Sequence, residues 1–180
     1  MATSTQEALW VLRAQCGDRE ALECLLCSIK PSLQGFVRGV VRTPQADDVM
    51  QDVLMVVCRK LTSLHTPELF RPWCFRIAGR CAFRHLKRER RWPEQPTDES
   101  ALDELPAFDT FPSTEVFAEL LSLENLSPAS RAVLVLHFQE ELPLSEVAAI
   151  LELPLGTVKS RLAYGLAAIR KHFNKKRSNT

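Results

Sequence analysis

The sequence lacks any apolar run that could cross a membrane, since a spanning helix needs about 20 consecutive apolar residues. Its first residues, Met1 to Glu7, are polar and show no basic segment followed by an apolar one, which a secretory signal peptide would have. We therefore expect a cytoplasmic protein with no membrane insertion. In that compartment the six cysteines should be free thiols rather than a disulfide framework.

Catalytic motifs are also missing. The chain has no glycine-rich phosphate loop, no nucleophile motif and no clustered metal set. Two pairs of ligand-type residues, Cys24 with Cys27 and Cys81 with His85, could in principle form a four-ligand zinc site. We expect both pairs on apolar helix faces, where cysteine behaves as a small hydrophobe, and their separation is unlike that of a zinc finger. The sequence thus predicts no metal, no cofactor and no enzymatic activity.

Two long stretches each contain charged residues of only one sign, although the net charge of the whole chain is only +1. Residues 92–124 contain nine acidic residues and no basic one, whereas residues 157–180 contain seven basic residues and no acidic one. A second basic block, residues 71–91, has eight basic residues and one acidic residue. Each block alone could be a solvated face. Together, two positive blocks separated by a negative segment predict two sites for a polyanion.

No segment alternates as a strand should, and helical periodicity dominates, so the fold class is all-α. Residues 92–112 hold four prolines and many carboxylates, which predicts a flexible acidic linker. We therefore expect two small helical domains, residues 1–91 and 113–180, with a helix-turn-helix in the second. Capping residues predict helix starts at Asp18, Thr43 and Ser127, and Pro31 should open a separate third helix.

The C-terminal basic block lies in a helix-turn-helix pattern. Ser145 is predicted to cap the first helix, Pro154 and Gly156 to end it, and Thr157 to cap the second. Polar groups on the second helix are expected to face a DNA groove, namely Thr157, Lys159, Ser160, Arg161 and Tyr164. Donors on the first exposed turn after a short turn with glycine are typical of DNA-binding helices. An ordinary helical hairpin with a solvated basic face is the alternative.

The helix predicted from Pro72 to Arg91 combines aromatic and basic side chains, which suits single-stranded DNA. Trp73, Phe75 and Phe83 could stack on unpaired bases, but burial in the core is an equal alternative. The basic residues would hold phosphates: Arg76, Arg80, Arg84, Lys87, Arg88 and Arg91.

Acidic residues cluster on the helix after Pro44, in the set Asp47, Asp48, Gln51 and Asp52. Acids in a first turn favour the helix dipole, so capping electrostatics alone could explain them. Asp48 and Asp52, however, are like charges four residues apart, which is mildly unfavourable without a partner. This arrangement indicates a basic protein surface as the partner.

Three segments in order, ADDVMQDVL (46–54), WCFRIA (73–78) and GTVKSRL (156–162), resemble bacterial sigma factors of the extracytoplasmic-function group. The resemblance extends from about Glu7 to Phe173. This chain departs from the usual family pattern at Cys74, Arg80, Arg84 and Tyr164. The added positive charge of Arg80 and Arg84 should strengthen contacts with phosphates.

The resemblance implies two domains that bind core RNA polymerase and recognise promoter DNA, both double-stranded and as a melted non-template strand. It places Asp47, Asp48, Gln51 and Asp52 on the surface that grips the polymerase clamp helices. The helix from Pro72 would face the minus-ten element, and the helix from Thr157 would enter the major groove of the minus-thirty-five element. Family members are often held by an anti-sigma factor, which is therefore a candidate partner.

A second hypothesis is a helix-turn-helix regulator whose first domain senses a partner or a metal. Such a sensor would not need the mixed aromatic and basic helix that precedes the linker. That helix therefore favours the sigma factor.

Overall fold

A computed structural model describes residues 4–89 and 126–178, with side chains up to residue 172. All regular elements in these ranges are helical, which confirms the all-α prediction. The chain divides into two compact units, residues 1–89 and 90–180. The predicted linker, residues 92–112, and Arg91 lie outside the described residues. No helix in the described ranges is long and apolar enough to cross a membrane.

The described part of the first unit contains four α-helices. They are α1 (Ser4–Gln15), α2 (Arg19–Val41), α3 (Ala46–Lys60) and α4 (Phe70–Arg88). Two short 3-10 turns, Leu61–Ser63 and Pro67–Leu69, connect α3 to α4. As predicted, Asp18 caps α2, accepting a hydrogen bond from the backbone N–H of Ala21 at 3.1 Å.

Helix α2 is the centre of the first core, because it packs against each of the other three helices. Its side chains Leu25, Ile29, Leu33 and Phe36 recur at helical spacing and are fully buried. Phe36 meets Phe75 of α4 edge to face, with ring centroids 5.7 Å apart.

Polar contacts fix the position of α1 in this unit. Arg71 donates three hydrogen bonds to the Glu7 carboxylate, with lengths of 2.7, 2.8 and 3.1 Å. Gln15 donates from its side-chain amide to the carbonyls of Leu61 and Leu64, both at 2.8 Å. The start of α1 is thus joined to α4, and its end to the turn after α3.

Two predicted helix boundaries are wrong in this unit. Pro31 does not begin a new helix, because α2 continues through it. An interior proline costs about 3 kcal/mol, whereas each fully buried large aliphatic side chain contributes about 1.5–3 kcal/mol. The apolar face of α2 therefore outweighs the proline. Thr43 does not cap α3, which begins three residues later with Gln45 at the N-cap, and the Thr43 hydroxyl is buried without a hydrogen-bond partner in the described part of the chain.

The second unit is built from three described α-helices: α5 (Pro128–Leu134), α6 (Leu144–Leu151) and α7 (Leu155–Ser178). A π-turn, Val135–Gln139, extends α5. Ser127 caps α5 as predicted, accepting from the N–H of Ser130 at 3.1 Å. Helix α5 packs closely on α7, since a Cβ built on Gly165 would lie 2.9 Å from Leu134 Cδ1.

Helices α6 and α7 form the predicted helix-turn-helix, but its turn differs from the one expected. Glu152, with a φ of 57°, adopts the left-handed conformation that ends α6, and the N–H of Leu153 donates to the Ala148 carbonyl at 3.0 Å. Gly156 therefore does not end α6; it lies in the first turn of α7. The predicted caps are also wrong, because Ser145 and Thr157 both lie inside helices, with Pro143 at the N-cap of α6.

Candidate functional site

The first turns of α7 carry the groups predicted to face a groove. Thr157, Lys159 and Arg161 are half-buried, and Tyr164 is 47% exposed. Partial burial lowers the pKa of the Arg161 guanidinium from its usual value. Arginine is protonated far above neutral pH, so a lowered pKa still leaves this side chain charged under physiological conditions.

The prediction that Ser160 faces outward is wrong. Its side chain is buried, with 2% of the residue exposed, and the hydroxyl donates to the Gly156 carbonyl at 3.0 Å. A serine inside a helix often bonds to the carbonyl four residues before it, which satisfies the hydroxyl without solvent. Ser160 therefore belongs to the packing of α7, while Lys159 and Arg161 on either side of it remain accessible.

Helix α4 presents a row of cations on its outer face. Arg76, Arg80, Arg84 and Lys87 follow one another at spacings of four and three residues, so they share one face. Arg76 is half-buried, and the other three are exposed, as is Arg88 in the last turn. The structure therefore brings together all the described basic residues predicted for this helix.

The aromatic residues of α4 divide between its two faces. Phe75 is almost fully buried against Phe36, so a role in stacking on bases is wrong for this residue. Trp73 is half-buried and lies beside Phe70, with ring centroids 6.4 Å apart. It precedes Arg76 by three residues, which places an aromatic edge at the start of the cation row.

The acidic cluster lies on the exposed face of α3, as predicted. Asp47, Asp48, Gln51 and Asp52 are all exposed. Arg38 of α2 forms an ion pair with Asp47 at 3.0 Å, and both side chains are more than half exposed. The other two carboxylates, those of Asp48 and Asp52, occupy adjacent turns of one face.

One exposed residue of α3, Met55, was not predicted from the sequence, and 52% of its surface is exposed. It follows Asp52 by three residues and Asp48 by seven, so it continues the acidic face with a large apolar side chain. The available signal was its position outside the buried stripe formed by Val49, Val53 and Val57.

The ion pair between Glu7 and Arg71 was not predicted from the sequence either. Its signal was a charged residue, Glu7, standing four residues before the buried Val11 on the inner stripe of α1. Burial of a carboxylate there requires a cation from another helix.

The structure does not assemble the four residues considered for zinc. Cys81 and His85 are buried in α4, whereas Cys24 and Cys27 are exposed on α2. The expectation that the α2 pair lies on an apolar face is therefore wrong. Within the described ranges, no group of three or more His, Cys, Asp or Glu side chains could hold a metal ion.

Comparisons with known proteins identify both units. The family model Sigma-70 region 2 matches residues 28–92, and the model Sigma-70, region 4 matches residues 122–171. The ECF RNA polymerase sigma-E factor of Escherichia coli (strain K12) is 26% identical over 181 residues, covering 94% of this chain and 95% of that protein. The RNA polymerase sigma-H factor of Pseudomonas aeruginosa is 26% identical over 186 residues, covering 95% of each chain.

Two solved structures share this fold at 20% sequence identity. CnrH, in complex with the cytosolic domain of CnrY, matches with a TM-score of 0.65 over 94% of this chain and 98% of its own. The sigma factor RpoE of Bartonella quintana, in complex with the anti-sigma factor NepR, matches with a TM-score of 0.64 over 84% and 96%. The two family models together span more than half of the 180 residues. The chain therefore belongs to the sigma-70 family, in its extracytoplasmic-function group.

Proposed function

We propose that this sigma factor divides its tasks between two domains, residues 1–91 and 113–180, joined by a linker at residues 92–112. The first binds core RNA polymerase and the minus-ten element, and the second binds the minus-thirty-five element. The observation that carries this proposal is the presence of a separate cation-bearing helix, α4 or α7, in each of the two units that match sigma-70 regions.

In the second domain, α7 is the helix that reads duplex DNA. Lys159, Arg161 and Tyr164 lie on its first turns, the part of a recognition helix that reaches base edges in the major groove. Thr157, also half-buried at this end, can contact a phosphate. Ser160 is omitted from this set because its hydroxyl is buried and already bonded to the Gly156 carbonyl.

In the first domain, α4 holds the minus-ten element as it melts. Its row of cations, together with Arg88 in the last turn, suits the phosphates of a single strand. Arg91, which lies outside the described residues, is assigned the same role. Trp73, half-buried at the start of the row, offers a surface on which an unpaired base can stack. Base-edge recognition is assigned to α7 and phosphate contact mainly to α4.

The exposed face of α3 binds the polymerase. Asp48, Gln51 and Asp52 supply polar and acidic groups, and Met55 supplies an apolar one in the next turn. An interface with a buried apolar centre and a polar rim is the common arrangement in protein complexes. Met55 would therefore be the central contact, surrounded by carboxylates that pair with a basic surface. Asp47 contributes less, because Arg38 already neutralises it.

The protein acts without catalysis of its own, in the cytoplasm, where RNA polymerase works. An anti-sigma factor is a further candidate partner, because the RpoE structure that shares this fold is a complex with an anti-sigma factor. The alternative, a regulator with an N-terminal sensor domain, is disfavoured by the region 2 match over residues 28–92.

The proposal is tested by mixing the purified chain with core polymerase and separating the products by gel filtration. We expect a stable complex that the double variant Asp48→Lys/Asp52→Lys fails to form. Glu20→Lys/Glu23→Lys is the matched control, because it makes the same change of charge at two exposed residues of another helix, α2. Equal binding by all three proteins would show that α3 is not the polymerase surface.

A further inference from the structure

The outer face of α2 carries two cysteines that the proposed function does not use. Cys24 and Cys27 are both exposed, three residues apart within the helix. Side chains at this spacing are neighbours, with Cβ atoms about 5–6 Å apart, so the two thiols share one face. Cys74 and Cys81 differ from them, because burial raises the pKa of each of these two thiols and keeps it protonated.

The spacing of the pair favours a bridging atom over a disulfide. A disulfide needs Cβ atoms about 3.5–4.5 Å apart, which is closer than a regular helix holds residues i and i+3. A metal that binds each sulfur at about 2.3 Å can span the wider gap without bending the helix. The pair is therefore better suited to chelation than to oxidation.

The surroundings of the pair also suit a ligand. Pro31 lies four residues after Cys27, and since proline has no N–H, the Cys27 carbonyl cannot accept the usual helical bond from that position. The backbone at the second thiol can therefore adjust. Glu20 and Glu23 are exposed at helical spacing from the two cysteines, and Lys30 is exposed three residues after Cys27, so the acidic neighbours outnumber the basic one.

We propose that Cys24 and Cys27 form a dithiol site for soft, thiophilic metal ions and trivalent metalloids. With phenylarsine oxide as the probe, arsenic forms one As–S bond to each cysteine and loses its bond to oxygen. The two thiol protons leave with that oxygen as one water molecule, and arsenic remains trivalent. No oxidant or reductant is required.

The site is tested on the full chain with phenylarsine oxide, by native mass spectrometry and by titration of the remaining accessible thiols. We expect one arsenical per chain and the loss of two titratable thiols. Cys24→Ser and Cys27→Ser should each weaken binding by about a hundredfold, since the second As–S bond forms at high effective concentration. Cys16→Ser and Cys58→Ser, which also remove exposed thiols, should leave binding unchanged.

A spacing control separates chelation from simple thiol exposure. The double variant Cys27→Ser/Lys30→Cys keeps two exposed positions on α2 but places them six residues apart. We expect it to bind as weakly as Cys27→Ser. Tight binding by this variant, or by either single variant at Cys24 or Cys27, would overturn the proposal. The modification of one thiol per chain would overturn it as well.

Discussion

Replacing Arg71 with methionine should destabilise the first unit, because it leaves the Glu7 carboxylate buried without its cation. Only 4% of the Glu7 side chain is exposed, against 34% for Arg71. Three hydrogen bonds from one guanidinium satisfy both carboxylate oxygens. Loss of Arg71 would therefore leave a buried, unpaired carboxylate, whereas loss of Glu7 would leave a guanidinium that water can reach.

Removing one partner of a buried ion pair lowers the free energy of unfolding by about 3–5 kcal/mol. Replacing both partners with apolar side chains is often neutral or stabilising. We therefore expect Arg71→Met to lower the free energy of unfolding by about 3 kcal/mol, the low end of that range, because water reaches the Arg71 side of the pair. For a unit of this size such a loss lowers Tm by roughly 12–24 °C. The double variant Glu7→Leu/Arg71→Met should recover most of the loss.

Urea unfolding followed by tryptophan fluorescence measures this effect, since Trp10 and Trp73 both lie in the first unit. The matched control is Arg38→Ala, which breaks the exposed pair with Asp47 and should cost less than about 1 kcal/mol. If Arg71→Met costs no more than this control, the Glu7 carboxylate is not buried as described. If the double variant is as unstable as the single one, the loss is due to packing rather than to an unpaired charge.

Three further predictions concern the other sites. Arg161→Ala should reduce the free energy of binding to promoter DNA by about 1–3 kcal/mol, and only at particular minus-thirty-five base pairs, as measured with a base-substitution series. An equal loss at every sequence would mean that Arg161 contacts phosphate. Met55→Ala should weaken binding to core polymerase by more than about 1 kcal/mol in a competition assay, and unchanged affinity would exclude it as the central contact. Hydrogen bonds from Ala21 and Arg13 lower the pKa of Asp18 in the folded chain. The contribution of Asp18 to stability is therefore fully present above the pKa that this side chain has in the unfolded chain, and it is lost as the pH falls through the folded pKa. Unfolding measured between neutral and acidic pH should therefore show a smaller acid-dependent loss in Asp18→Asn, and identical pH profiles would contradict this role.

Several local features were predictable because a few neighbouring residues determine them. The caps at Asp18 and Ser127 follow from side chains that bond to the nearest free N–H groups. Exposure of the acidic face on α3 follows from the buried valines on its opposite side.

Other features depend on contacts between distant residues, and for these the sequence was insufficient. The continuation of α2 through Pro31 depends on a core completed by three other helices. Phe75 is buried because Phe36, nearly 40 residues earlier, packs against it. Ser160 is buried and bonds to the Gly156 carbonyl, inside a helix that begins at Leu155, before its apparent cap at Thr157. Each error came from reading a local signal without the contacts that the folded chain makes around it.

The most direct measurement for the central claim is run-off transcription with core polymerase on genomic fragments, with and without this chain. We expect discrete transcripts only when core polymerase and this chain are both present, and weaker transcripts from the Arg161→Ala chain at the same start sites. If the chain bound duplex operators alone and left the start sites of core polymerase unchanged, it would act as a regulator rather than as a sigma factor. That result would contradict the account.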